Sequence, residues 1–302
     1  MNVLSGVIQA TLISATPLLL AALGENVVQK SGVVNVGLEG MLLVGAFAAT
    51  LGTLYPYNPF TGAVLHNPYL GVLIGALAGM AFALLFAAFA VKLSANQVVV
   101  GVVINLLALG LTGTLYRKFF GTTGQFVTTD ALPRLPWLGN LTPLSLLAFA
   151  AVPGIWWWLY RTRHGLELRA SGEQPTAAEA SGIRVTRLRM VTLLFGGAMA
   201  GVAGAFLSVG DSNTFIPNMS AGRGFIALAI VTAGRWNPYG CLIAALLFGF
   251  AESLQYQGQA LGLHLPYQLF LALPYIGTLL ILAFGSRYSG APAALGRPYR
   301  KT

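Results

Sequence analysis

The sequence predicts an all-α fold, a polytopic membrane helical bundle of about nine transmembrane helices with broken or re-entrant segments. Three observations carry that expectation. Of the 302 residues, 56% are hydrophobic and only 8% charged, where a soluble domain holds roughly a quarter charged residues, and the mean hydropathy is +0.73. Apolar runs approaching the length needed to cross hydrocarbon recur along the whole chain. The polar residues collect between these runs, above all in Arg161–Arg189, RTRHGLELRASGEQPTAAEASGIRVTRLR, which holds six of the 17 basic and three of the 8 acidic residues. A segment this polar does not lie in lipid and belongs on one side of the bilayer. The net charge of +9 sits at the ends of apolar runs and not in one interleaved patch, which reads as membrane topology and argues against a nucleic-acid partner. The single cysteine, Cys241, lies in an apolar run and reads as a small core residue; one thiol allows neither an internal disulfide nor a cysteine metal cluster.

The elements follow in chain order. Leu4–Leu23 lacks a basic leader and a small-residue cleavage site, so it reads as a retained first span. Gly24–Gly40, GENVVQKSGVVNVGLEG, is apolar but interrupted by Glu25, Asn26, Gln29, Lys30, Asn35 and Glu39; it reads either as a broken, re-entrant passage or as an interfacial turn. Asn35 and Glu39, four residues apart, share a face if helical, and Gly37 and Gly40 permit a break or a close approach. Met41–Leu54 is the second span, followed by a Pro- and Tyr-rich surface connection. Tyr69–Val91, the third, repeats Gly71, Gly75 and Gly79, a stripe that admits a neighbouring helix. Ser94 and Gln97 have capping-box spacing and start the fourth span, which runs to Tyr116 and closes on Arg117 and Lys118. Asn105 in its middle is either interhelical glue or a pathway residue.

Phe119–Pro143 reads as a polar loop and Leu144–Tyr160 as a fifth span, whose Trp156–Trp158 suit an interface belt. Val191–Val209 is a sixth span with Gly197, Gly201 and Ala205 on one face, so it belongs inside the bundle; Asp211-Ser212-Asn213 marks its exit. A less regular seventh passage, about Phe215–Ala233, contains Pro217 and Arg223. The eighth span, Cys241–Leu254, carries Glu252, and the ninth is placed at Pro266–Phe284. If the central loop is cytoplasmic, 13 of the 17 basic residues fall inside, including Lys30, Lys92, Arg235 and the tail, and only Arg117, Lys118, Arg134 and Arg223 fall outside. That asymmetry puts the N-terminus outside and the C-terminus in the cytoplasm.

Chemistry-bearing motifs are absent. The chain has no phosphate-binding loop, no H-E-x-x-H and no G-x-S-x-G, and His66, His164 and His264 fall singly in separate loops. Carboxylates at membrane depth are too few for an ion relay, so an ion-coupled secondary transporter is the weaker alternative and energy is expected from a partner. Within the central loop Pro175 suits a first helical position, Thr176-Ala177-Ala178-Glu179-Ala180-Ser181 a short helix and Gly182 its C-terminal stop. Arg169 and Glu173 precede this peg and Arg184, Arg187 and Arg189 follow it. A solvated loop without a partner is the other reading.

The stretches GENVVQKSGVVNVGLEGMLLVGAF, SANQVVVGVVINLLALGLTG, GLELRASGEQPTAAEASGI and GRWNPYGCLIAALLFGFAESLQ resemble permease subunits of bacterial ABC importers. Among these they are most similar to the nucleoside and simple-sugar group related to ribose and branched-chain amino acid permeases. The resemblance covers about Leu4–Phe284, and against ribose-type permeases this chain starts one span later. It implies one permease domain, 1–302, with a cytoplasmic coupling loop at 161–189 whose helix, Glu173–Gly182 flanked by Arg169 and Arg184, contacts a separate ATP-binding subunit. It further implies a second permease subunit, a heterodimer being favoured, and an extracytoplasmic substrate-binding protein, all at the inner membrane in contact with lipid. ATP and Mg would be bound by the ATPase and no cofactor or metal by this chain. The cargo it implies is a nucleoside or, alternatively, a simple sugar such as ribose. For the pathway, polar residues on broken helices at membrane depth single out Asn35, Glu39, Asn105 and Glu252, although a neighbouring backbone or helix could equally satisfy Glu252.

Overall fold

The computed structural model describes residues 3–55, 67–121, 127–136, 139–260 and 290–299. Among these, five helices are long and apolar enough to cross a membrane and three shorter apolar helices accompany them. The predicted helical membrane bundle is therefore what forms. The expected ninth span, with Arg287, Arg300, Lys301, His66 and His264, lies outside the described residues.

The first helix, α1 (Val3–Lys30), does not stop at Leu23. It carries Glu25, Asn26 and Gln29 through into its buried last turns, where part of their hydrogen-bonding capacity finds partners, Asn26 Nδ2 on Cys241 Sγ (3.5 Å) among them. Glu25 Oε1 accepts from Gln29 Nε2 (2.9 Å) and from the Asn35 backbone N–H (3.0 Å). Gln29 Oε1 accepts from Trp236 Nε1 (2.6 Å). The expected interruption of the chain is real but shorter, confined to residues 31–37, and α2 (Leu38–Leu54) follows.

Helix α3 (Pro68–Ala87) is capped by Asn67, whose side chain accepts from Tyr69 N, and runs on as a π-helical turn, Ala88–Lys92. The capping box expected at Ser94 and Gln97 does not form. Asn96 caps α4 (Gln97–Phe120) by accepting from Val98 N and Val99 N, leaving Ser94 in a left-handed conformation with φ 51° and Gln97 Oε1 to accept from Val34 N (2.8 Å). The nearer side-chain oxygen won the cap. Helix α5 (Pro143–Arg161), capped by Thr142, leads into α6 (Arg163–Glu173), α7 (Pro175–Ala180) and α8 (Val185–Ala205), which ends in a second π-helical turn, Phe206–Asp211. The seventh passage is helical only as α9 (Arg223–Ala233), and α10 (Pro238–Ala260) follows. Val127–Thr128 (β1) and Thr214–Phe215 (β2) form a two-residue antiparallel pairing.

Glycines bring α2, α3 and α8 together. A Cβ added to Gly79 would lie 2.2 Å from the Gly197 carbonyl, one on Gly201 2.2 Å from the Gly75 carbonyl, and one on Gly45 2.5 Å from Gly201 Cα. In lipid, helices associate through close packing, and here backbones meet directly. The stripes expected on the third and sixth spans thus face each other. Cys241 is fully buried, as its apolar setting predicts.

Residues 290–299 cross one end of the bundle as a strap. Their backbone accepts from Lys30 Nζ (3.2 Å, at Gly290 O), Arg189 Nη1 (3.2 Å, at Arg297 O) and Ser94 Oγ (3.2 Å, at Tyr299 O), and donates to Gly172 O (2.9 Å, from Ala294) and Gly32 O (3.0 Å, from Gly296). Arg189, expected at the surface beside the peg, is 2% exposed. Its Nε donates to Ser31 O (3.1 Å), and its guanidinium lies 5.8 Å from the Tyr299 ring. Its position one turn inside α8 explains the burial.

Candidate functional site

Two places in the fold gather the polar residues singled out in the sequence. The first is the peg at the strap end. Gln174 closes α6 with its N–H on the Ala170 carbonyl, and Pro175 opens α7 at its first position. The peg stops with Ile183 N–H on Ala178 O (3.1 Å) and Gly182 N–H on Glu179 O (2.9 Å), the paired bonds of a Schellman end, with Gly182 at φ 88°. Thr176, Ala177, Ala180, Ser181 and Gly182 are exposed, while Ala178 is buried against the bundle. The outer surface of the peg is thus small-residued and open, and Arg184 lies exposed beside it.

Its inner side is held at several points. Arg169 stacks 4.9 Å from the Tyr160 ring centroid, fixing α6 on the end of α5. Glu173 Oε2 accepts from Ala293 N (3.1 Å), and Glu179 Oε2 accepts from Tyr299 Oη (2.5 Å). That bond holds the Tyr299 phenol above its ordinary value of 10.0, so the tie is fully present at neutral pH and is lost only as pH rises through the elevated phenol value. Arg169, Glu173 and Glu179 therefore anchor the peg, and the exposed residues named above form its contact surface. His164 is exposed, with Nδ1 3.6 Å from Glu167.

The second place lies deep in the bundle. Residues 31–37 turn back from the strap end, and Val36 O accepts from Asn105 Nδ2 (3.0 Å) while Asn105 Oδ1 accepts from Gly40 N (2.8 Å). Asn105 is eight residues into α4, roughly 12 Å from its start, so α2 begins well inside the bundle. One amide thereby satisfies two backbone groups that the break leaves open. Asn35 is fully buried; its Nδ2 lies 3.2 Å from Met41 Sδ, and its Oδ1 has no partner among the described residues.

Glu39, in the first turn of α2, accepts from Gly222 N (2.8 Å) and Gly224 N (2.7 Å). Its carboxylate thus stands at the N-termini of both α2 and α9, where two helix dipoles favour negative charge. Gly222 has φ 85°, and a Cβ on Gly224 would fall 2.5 Å from Glu39 Cα, so both glycines are required. Arg223 is the first residue of α9, which has 11 residues, about 16 Å of helix. Its Nη2 donates to Glu252 Oε1 (2.6 Å).

The structure brings Glu39, Asn105 and Asn35 to the 31–40 break, and Glu252 to a separate, neighbouring cluster with Arg223. Sequence reading did not single out Arg223, Asp211 or Tyr299 as site residues. A Gly-Arg-Gly step opening an apolar run was the available signal for Arg223; nothing local pointed to the other two.

A family profile described as "Branched-chain amino acid transport system / permease component" matches residues 7–283. Among characterised relatives, the guanosine ABC transporter permease protein NupQ of Bacillus subtilis (strain 168) is 38% identical over 99% of this chain and 98% of its own length. The nucleoside ABC transporter permease protein NupC of Lactococcus lactis subsp. cremoris is 35% identical over 100% and 98%. The putative glucose ABC transporter permease protein TsgC13 of Haloferax volcanii is 38% identical over 88% and 81%. No solved structure matches.

Proposed function

Because the chain belongs to the branched-chain amino acid transport system permease family, we propose that it is the nucleoside-conducting permease subunit of an ATP-driven importer. Similarity to NupQ and NupC over at least 98% of both chains, against 88% of this chain and 81% of the relative for TsgC13, favours a nucleoside over a simple sugar. The observation that carries the coupling role is the α7 peg: a short helix, braced on its inner side and open on its outer side, is shaped to receive force from a soluble partner. An ATP-binding subunit docks there, against Thr176, Ala177, Ala180, Ser181 and Gly182, with Arg184 at the rim. ATP and Mg belong to that subunit, and this chain does no covalent chemistry.

The peg and strap face the cytoplasm in this reading, so the N-terminus is outside and the C-terminus inside, at a bacterial inner membrane. Lys30, Arg235 and Arg297 stand at the same end, which agrees with the positive-inside tendency. A second, different permease completes the pathway, as in the importer group that the sequence resembles, and an extracytoplasmic binding protein delivers cargo. Closure of the ATPase pair pushes on α7, and α6 and the strap pass the motion to the 31–37 break.

The test is uptake of tritiated guanosine into proteoliposomes holding the assembled complex. Uptake is expected to need ATP, the ATPase and the binding protein, and to continue when ion gradients are collapsed. Uptake that persists without ATP and stops with an ionophore would point to the ion-coupled alternative and end this proposal.

A further inference from the structure

Between α1, the π-helical end of α8, the start of α9 and the middle of α10 lies a cavity of ≈ 310 Å³. Its polar lining is Ser14, Asp211, Arg223 and Glu252, and Ile13 and Leu207 contribute to the apolar part. Arg223 begins a half-length helix, and Glu252 is fourteen residues along α10, about 21 Å from its start, so this pair lies within the bundle's span; Asp211 closes the span Val185–Asp211, so the cavity reaches from the pair toward the end of the bundle opposite the strap. Charged groups at such depth are costly and mark pathways or binding sites.

The groups are arranged for use. Arg223 is held from two sides, Nη1 donating to Met219 O (3.3 Å) and Nη2 to Glu252 Oε1 (2.6 Å). Asp211, at the end of the π-helical turn, is exposed and lines the same space. Arg223 and Arg134 both act on Asp211, so two basic groups face two carboxylates and the cluster is close to neutral. A phosphate entering it finds no surplus positive charge to offset the loss of its hydration. The cluster does not make a hard-cation site either: such ions take six or more oxygens, whereas half of the acidic charge here is already paired with Arg223 and much of the wall is apolar. A mixed wall with a few fixed polar groups and a volume at the lower end of the ligand-pocket range suits a small neutral solute.

We propose that this cavity is a solute-binding site that recognises the vicinal hydroxyls of an uncharged, polyhydroxylated cargo, such as the ribose of a nucleoside. The Asp211 carboxylate accepts the two hydroxyls in parallel, Ser14 adds a further hydrogen-bonding group, and the Arg223–Glu252 pair holds α9 and α10 at the spacing the cavity needs. The apolar wall packs the carbon face of the ring. The assignment rests on the cargo reading above for its choice of nucleoside, and extends it by naming the group that is read and excluding the phosphorylated form.

The experiment places a reporter thiol at Ser14→Cys in the full complex, where the native Cys241 is buried and unreactive. Modification by a small water-soluble methanethiosulfonate is followed during ATP turnover. Guanosine is expected to slow it at least about threefold, while 2′,3′-dideoxyguanosine and guanosine monophosphate leave it unchanged. Asp211→Asn in the same background is expected to raise the half-protecting guanosine concentration about tenfold, the scale of losing hydrogen bonds to a charged acceptor. If Ser14→Cys fails to assemble, Ala10→Cys on the same wall gives the same readout. Unchanged modification in a complex that takes up guanosine, or equal protection by the monophosphate, overturns the site while leaving the importer reading intact. A complex that takes up no guanosine removes the cargo reading alone; protection by ribose then supports the site and its absence overturns it.

Discussion

Asn105 shows how a single amide holds a broken helix together within a membrane. Its carbonyl and amino groups meet Gly40 N–H and Val36 O, two backbone groups that lipid cannot satisfy. Asn105→Leu is expected to leave both unpaired, at about 1–3 kcal/mol each. The measurable outcome is a lower thermal midpoint of the detergent-solubilised complex. A pathway role for Asn105 instead predicts a normal midpoint with altered uptake, so the pair of measurements separates glue from pathway. Glu39 stands in the same position, because its two acceptors are occupied by Gly222 and Gly224. Four-residue spacing suggested that Asn35 and Glu39 share a helical face, but the helix begins only at Leu38. What each carboxylate or amide meets across the bundle is a property of residues tens or hundreds of positions away, which local spacing does not encode.

At the scale of elements, the peg was the most legible part of the chain. Its proline start and glycine stop act through one residue's backbone each, and the structure places α7 and the Gly182 turn where those residues indicate. Ala178→Pro removes the bond from Ala178 N–H to Gln174 O and is expected to break the helix, at roughly 3 kcal/mol. ATP-driven uptake should fall by more than about tenfold while the amount of protein in the membrane, read by immunoblot, stays level; preserved uptake would show that α7 does not transmit the stroke. The cap of α4 was misread for an instructive reason. Ser94 and Gln97 fit a capping box by number, but the helix starts at Gln97, so Asn96 stands directly before it and takes the Val98 and Val99 N–H groups, and the strap and Val34 take up the two residues that were left.

Across the whole molecule, the strap joins what the primary structure keeps far apart. It touches the ends of α1 and α6, the 31–37 break, Ser94, Arg189 and, through Tyr299, the peg. Truncation after residue 289 is expected to uncouple the complex: ATP hydrolysis by the partner persists, but uptake per ATP falls severalfold. Equal coupling ratios before and after truncation would rule out a transmitting role. Tyr299→Phe, which removes only the Glu179 bond, should produce a smaller shift in the same direction.

By itself the sequence determined the membrane bundle, the order of its spans, the glycine faces of α3 and α8 and the peg, because hydropathy, small-residue spacing and helix-end chemistry all act over a few neighbouring residues. Tertiary structure alone decided that Glu25, Asn26 and Gln29 stay helical, that Arg189 is buried beneath a strap, and that Asp211, Arg223 and Glu252 line one cavity. Most of these outcomes turn on a partner far along the chain, as Gln29 on Trp236, Arg189 on Ser31 and Arg297, and Arg223 on Glu252, and a buried polar group's place is set by where that partner arrives in space.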